Sequence, residues 1–400
     1  MSGLSMNDLI NKKSNFLYST LIAVSLFTTT FAVNLQTPLY AIYASRSHMG
    51  ISAVTIAFAA YVAGLIPTLL LLGGLSDLIG RRLPIALALL LGTAATILVI
   101  AKPNWESLVT ARVLLGIGTA LATTSGSAYM IEMMGIGNAR RATLLVTSAT
   151  SLGFGGGALA TSISLGLQGP TFMPASFIAV LIMAPLLTFV VLMLPRIDTP
   201  QRVSLFRFPV FPKETWVFGI AMALAWSTTG MTIAIVPLAL QAQSLGHWTG
   251  FIVFLAIFIG FLCQPIARRM NNSHALALGF FLTPFGFIVL LHGIWVASIG
   301  LVLLGTCITS ASSYGFTYLA SLNEFSTKGQ DNCARATAGL FVYAYVGFSL
   351  PVITSGSLAE RFGLLPAMML FAMIQISIIL VSIAQWKKSR TNISNTSFPL

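Results

Sequence analysis

Long apolar stretches recur along this chain, and they constrain its fold more than any other feature. A helix rises 1.5 Å per residue, so a run of about 20 residues crosses roughly 30 Å of hydrocarbon. Twelve such stretches can be marked, at roughly 17–41, 51–75, 83–101, 107–131, 142–167, 172–194, 216–241, 249–267, 274–296, 298–320, 335–358 and 364–386. Only 8% of the residues are charged and 56% are hydrophobic, against about 25% charged in soluble proteins. The expected fold class is therefore an all-α membrane protein with twelve transmembrane helices. A membrane β-barrel would instead alternate apolar and polar residues in segments of about ten. Lys12 and Lys13 before an apolar run resemble a secretory leader. The run from Phe16 to Val33 is too long for one and ends in no small-residue cleavage site, so it reads as the first span.

The basic residues assign sides. Seventeen Lys and Arg residues fall in the connections and tails of one face, including Arg81, Arg82, Arg140, Arg141, Arg268 and Arg269, while only Arg46, Lys102 and Arg361 fall on the other. Such clusters mark the cytoplasmic face, so both termini are expected there, in a multi-pass protein of the plasma or inner membrane. They are topology signals, and the net charge of +12 does not call for a nucleic-acid partner. The longest connection carries Arg196, Arg202, Arg207 and Lys213. It divides the chain into a cytoplasmic N-terminus (1–16), a six-helix half (17–194), the central loop (195–215), a second six-helix half (216–386) and a cytoplasmic tail (387–400).

The two halves echo each other. Thr29-Thr30 with Pro38-Leu39 return 199 residues later as Thr228-Thr229 with Pro237-Leu238. Val113-Leu114-Leu115-Gly116 with Tyr129 return 189 residues on as Val302-Leu303-Leu304-Gly305 with Tyr318. Arg141-Ala142-Thr143 and Gly153-Phe154 return after 194 residues as Arg335-Ala336-Thr337 and Gly347-Phe348. Six helices bring each copy back to the same side, so the repeat is parallel about an axis normal to the membrane. In transporters of that plan the substrate site lies between the repeats.

The connection after the second stretch holds Gly73-Gly74-Leu75-Ser76-Asp77-Leu78-Ile79-Gly80-Arg81-Arg82. Its Gly73-x-Leu75-Ser76-Asp77-x-x-Gly80-Arg81-Arg82 pattern resembles motif A of the major facilitator superfamily. Arg112-Val113-Leu114-Leu115-Gly116-Ile117-Gly118 resembles that family's motif B in the fourth helix. Glu132, followed by Arg140 and Arg141, resembles the acid and base often placed beside motif A. The look is closest to the twelve-helix drug and metabolite efflux group, whose fifth-helix motif C is matched at Gly153 and Gly157. Ala158 stands where that motif has proline, and Thr161-Ser162 where it ends in glycines. The resemblance implies that Asp77, Arg81 and Arg82 form a gate latch near the eleventh helix, and that helices 1, 4, 7 and 10 line the cavity. It thereby nominates Asn34, Gln36, Tyr40, Trp226, Gln241, Tyr314 and Tyr318, with Tyr343 and Tyr345 on helix 11. In the second half Gln264 replaces Asp77 and Ala267 replaces Gly80, so the gate is expected to be asymmetric.

Arg112 is the one Lys or Arg inside an apolar stretch, about 10 Å from the helix end at 1.5 Å per residue. A cation at such depth costs at least about 2.5 kcal/mol unless solvated or paired. It is open whether it meets an anionic substrate group, influences a proton site, or bonds to carbonyls of helix 1. None of the nine acids falls mid-membrane, so proton coupling rests on the resemblance, through Asp77 or Glu132. Cys263, Cys307 and Cys333 have neither metal nor redox spacing and read as packing residues. No nucleophile, base and orienting acid come together, so no enzyme, cofactor or metal is expected. The reading is a secondary transporter exporting a small organic compound by proton antiport and alternating access, acting as a monomer in the bilayer. An importer of the same fold is the alternative, since the motifs do not set direction. A non-transporting sensor or assembly protein is a third.

Overall fold

The computed structural model describes residues 6–196, 205–206 and 208–396. Arg202, Arg207 and Asp198 of the central loop lie outside the described residues, as do the side chains of Lys12 and Lys13. Twelve helices long and apolar enough to span a membrane are present among them, and no described residue is in a strand. They are α1 (Asn15–Arg46), α2 (Ile51–Leu71), α3 (Arg82–Ala101), α4 (Trp105–Met134), α5 (Ala139–Gln168) and α6 (Ala175–Met193). The second set is α7 (Trp216–Ala242), α8 (Gly246–Ala267), α9 (Asn272–Trp295), α10 (Ile299–Gly329), α11 (Cys333–Phe362) and α12 (Leu364–Trp386). Several run further than hydropathy alone marks: α10 continues nine residues past 320 because Tyr318–Gly329 keeps an amphipathic helix beyond the apolar stretch.

By internal contacts the chain separates into two compact units, Met1–Phe208 with Gly246–Phe254, and Pro209–Leu245 with Leu255–Leu400. The start of α8 belongs to the first unit because Gly250 donates its amide to Ser162 Oγ at 3.0 Å. Gly155 also leaves room only for the close approach of Phe254. Thr161 and Ser162, which depart from motif C, are thus employed: Thr161 Oγ1 shares a 2.7 Å hydrogen bond with Ser176 Oγ on α6.

The repeat is visible in the packing of each unit by itself. In the first, a Cβ on Gly153 would meet Phe27 O at 2.5 Å and Phe31 N at 3.0 Å on α1. In the second, a Cβ on Gly347 would run into the backbone of Ala223 on α7, 2.5 Å from its Cα. Small residues let paired helices approach backbone to backbone where lipid supplies no hydrophobic drive. The Thr pairs also serve alike, each bonding back to the preceding turn: Thr29 to Ser25 O at 2.9 Å, Thr228 to Leu224 O at 3.1 Å. Both leading helices break near their echoed prolines. α1 is helical to Val33, turns, and resumes as a 3-10 turn at Thr37–Leu39 and a helix at Tyr40–Arg46. α7 runs to Ala234 and resumes at Val236–Ala242. Proline lacks the amide proton that would carry the helix through.

Candidate functional site

The motif stretch folds as a break with a purpose. Leu71 ends α2, Gly73 and Gly74 turn the chain, and Leu75–Ile79 forms one helical turn. Gly80 closes that turn at φ 91° and ψ 158°, a region open to glycine and almost nothing else. It delivers Arg81 back onto the turn it has just left. The Arg81 guanidinium donates to Ser76 Oγ at 2.8 Å and pairs with Asp77 Oδ1. Its Nε and Nη2 both reach Glu132 Oε1 at 2.9 Å, from the end of α4. Glu132 thus pairs with Arg81, while Arg140 and Arg141 at the start of α5 are exposed. Arg82 does separate work, its Nη1 bonding Leu192 O at 2.9 Å and Leu194 O at 2.7 Å at the end of α6.

One guanidinium therefore lies between two carboxylates, with Arg81 and Asp77 each 15% exposed. Burial disfavours its charge, but the hydrogen bonds and charges of Glu132 and Asp77 outweigh that and raise its pKa above the ordinary value. Arg81 stays charged throughout, so any proton exchanged here resides on a carboxylate. Glu132 Oε2 is buried and has no hydrogen-bond partner. A buried acceptor in that state costs about 1–3 kcal/mol, more for a charged group.

Arg112 is 1% exposed and bonds the carbonyls of Val33 at 2.7 Å and Phe58 at 3.2 Å. Of the three roles left open by the sequence, the carbonyl bond to helix 1 is made, and it exploits the carbonyls freed where α1 ends its first run. The ring of Tyr61 lies 4.8 Å from its Cζ, with Tyr40 and Phe58 at 5.8 and 5.6 Å. Aromatic faces and carbonyls spread the charge without cancelling it. The Tyr40 hydroxyl is buried without a partner, and on the same stretch of α1 Gln36 is 0% exposed with neither amide atom bonded and the Tyr43 hydroxyl is likewise unpartnered. Tyr43 was not among the sequence candidates. Asn34 is already committed, donating to Phe154 O at 2.8 Å. Gly116 presses α4 against Tyr61 and Leu65 of α2, and Gly157 presses α5 against Phe31 of α1.

In the second unit Trp226, 7% exposed, is ringed by Tyr314, Tyr345 and Phe348 at centroid distances of 5.3, 5.2 and 6.0 Å. Its indole Nε1 has no partner. Tyr314 sits on a π-helical segment, Ala311–Thr317, within α10, a widened turn found often at functional sites. Hydroxyls hold that segment open: Thr229 to Ser313 at 3.0 Å, Thr283 with Ser312 at 2.6 Å, and Ser312 to Gly279 O at 3.0 Å. Gln264, the counterpart of Asp77, donates to Tyr314 O at 3.2 Å. Tyr318 follows on α10, half-buried. Tyr343 stands apart, packed on Phe211 and Phe325, and Gln241 is exposed. The acid–base cluster of this unit went unread in the sequence. Lys328 Nζ reaches Glu214 at 2.8 Å and Glu324 at 3.6 Å, and its ammonium holds the Glu214 carboxyl below the usual range. No group of three or more metal-ligating side chains occurs among the described residues.

The model of the Major Facilitator Superfamily matches residues 22–328, well over half of the 400. The chain belongs to the Major Facilitator Superfamily. No curated protein matches it in sequence. Among solved structures, this superfamily member is similar to a bacterial homolog of the human lysosomal transporter Spinster in an inward-facing, occupied conformation. That match has 11% identity and a TM-score of 0.72, over 93% of this chain and 96% of the other. The nucleoside transporter NupG matches at 12% identity and TM-score 0.74, over 92% and 99%. A D-xylose–proton symporter matches at 14% and 0.66, over 92% and 97%. At such identities the likeness is one of fold. Membership of the superfamily indicates a multi-pass membrane transporter.

Proposed function

We propose that this protein exports a small organic solute by proton antiport, with Glu132 as the proton-exchanging group and the basic end of the helices facing the cytoplasm. The observation that carries the reading is the shared Arg81: one Glu132 oxygen is held by it, while the other is buried and unpaired. Protonating Glu132 weakens its hold on Arg81 and leaves that cation to Asp77, so a proton taken up there changes the gate motif directly. Away from the helix ends the spans carry one cation, Arg112, and no acid. A cationic solute would meet no fixed counter-charge in a medium where charges interact strongly, so the solute is neutral or anionic. In the first unit, the Gln36 amide and the Tyr40 and Tyr43 hydroxyls are buried without partners, groups of the kind that pockets with few, placed polar groups offer such a solute.

The test uses inside-out vesicles with a trapped pH dye, challenged with a panel of neutral and anionic aromatic compounds. At least one compound is expected to dissipate an imposed proton gradient in the wild type and to lose that effect by tenfold or more in Glu132→Gln. Solute flux without proton movement, or undiminished proton movement in Glu132→Gln, would refute the reading. A symporter reveals itself by the opposite sign of the pH change.

A further inference from the structure

A cavity of about 910 Å³ opens at the basic end of the first unit, bounded by the start of α1, the end of α4 and the start of α5. It takes no part in the mechanism above. Its walls are apolar, chiefly Phe16, Ala23, Met133, Leu144 and Leu145, and no acidic residue lines it. Its amide and guanidinium groups lie toward the basic end, while Ser19 and Thr20 continue along the α1 wall. Asn15 opens the membrane-spanning part of the first helix, which itself starts at Met6; Asn138 immediately precedes α5, and Arg141 lies in the first turn of α5. Arg141 has no ion pair or hydrogen bond with another described residue, and it is exposed to the opening. Asn138, the N-cap residue of α5, makes no side-chain cap bond; its Nδ2 donates to Met134 O at 3.0 Å. Along the wall, Ser19 is 4% exposed and its hydroxyl has no partner.

These features select a ligand class. A free guanidinium beside uncapped helix amides recognises a carboxylate or phosphate. From Asn15 to Ala23 the wall runs eight residues of helix, about 12 Å. An extended chain advances about 1.2 Å per bond, so the depth accommodates an alkyl chain of roughly ten bonds. Flexible Met133 and Met134 adapt to such a chain better than branched residues do. We propose that this cavity binds an anionic single-chain amphiphile, with its head on Arg141 and the α5 terminus and its chain along Met133, Leu145 and Ala23. The site is one of equilibrium binding and does not depend on antiport.

The test measures binding of radiolabelled decyl phosphate to the full-length protein in nanodiscs of zwitterionic lipid, with protein-free discs subtracted. One saturable site per protein is expected, displaced by unlabelled decyl phosphate and not by decyltrimethylammonium. Arg141→Gln should weaken it at least about tenfold, the worth of a charged hydrogen bond, and Ala23→Trp should abolish it by filling the cavity. Leu145→Trp, at a half-exposed position, repeats the second test should Ala23→Trp fail to yield folded protein. Displacement by soluble hexyl phosphate identifies a ligand drawn from water, and displacement only by an anionic lysolipid placed in the disc identifies one drawn from the leaflet. Displacement by neither, equal displacement by the cation, or binding unchanged in both Arg141→Gln and a filled-cavity variant would overturn the proposal.

Discussion

Asp77→Asn is expected to reduce transport by about tenfold to a hundredfold while leaving the protein folded and inserted. The change removes one of the two carboxylates that share Arg81, and a hydrogen bond to a charged group is worth about 1.5–3 kcal/mol. As built, the cluster has one cation between two anions. With asparagine, Glu132 is left as the one carboxylate of the cluster, and the division between two anions that lets a proton redistribute the guanidinium is gone. The matched change in the other half, Gln264→Ala, deletes the bond to the Tyr314 carbonyl and removes no charge. Its cost is about 1 kcal/mol of stability, with more than half of transport retained. Initial uptake rates in vesicles, normalised to protein in the membrane, make the comparison. Equal losses would show that the two copies gate alike and that the acid has no special part.

Gly116→Val should prevent recovery of folded protein altogether. A Cβ at this position runs into the carbonyl of Tyr61 and lies 2.9 Å from Leu65 N, and α2 answers with Gly64, whose added Cβ would run into Val113 of α4. Both obstacles are backbone, which cannot move aside by changing rotamer. The helices would have to separate, and overpacking of lesser severity already costs about 1–3 kcal/mol. A loss of the monodisperse peak in detergent is the readout. Gly166→Ala is the control, because an added Cβ there meets nothing within 4 Å. That variant is expected to be neutral or slightly stabilising, since alanine favours helix by about 1 kcal/mol over glycine. If the two variants behave alike, close backbone contact at Gly116 is not what joins α2 to α4.

What the sequence disclosed follows from which physical signals are local. Membrane spans and the breaks of α1 and α7 are written in consecutive residues, through apolar length and the echoed Pro38 and Pro237. Gly80 and Arg81 are legible because motif spacing fixes a turn. The partner of Glu132 is not, because Arg81 is 51 residues away in the chain and three basic residues competed for the part. Facing was the harder matter. Tyr343 and Tyr345 are two positions apart on one helix, so they point to different sides: Tyr345 joins Trp226, and Tyr343 packs on Phe211 and Phe325. Gln241 and Gln243 differ likewise, since Gln241 is exposed and Gln243 donates to Ile294 O at 2.5 Å. The crowd of hydroxyls from Thr309 to Thr317 was in plain view, but hydroxyls bond back to their own helix as readily as they hold a neighbour. Only the partners supplied by α7 and α9 turn them into a scaffold for a π segment.

That π segment bears on how the two halves can be recombined. Tyr129 and Tyr318 keep the same spacing from the shared Val-Leu-Leu-Gly run, so a copied segment would be spelled alike in α4 and α10. Yet Tyr129 is fully buried and bonds the Pro195 carbonyl at 2.6 Å, whereas Tyr318 is only half-buried. The widened turn in α10 rotates everything beyond it, and the duplicated letters come to face different neighbours. A chimera that transplants the end of α4 into α10 would therefore align in sequence and misdirect its side chains. Paralogous positions past Ala311 are interchangeable on paper and not in the membrane.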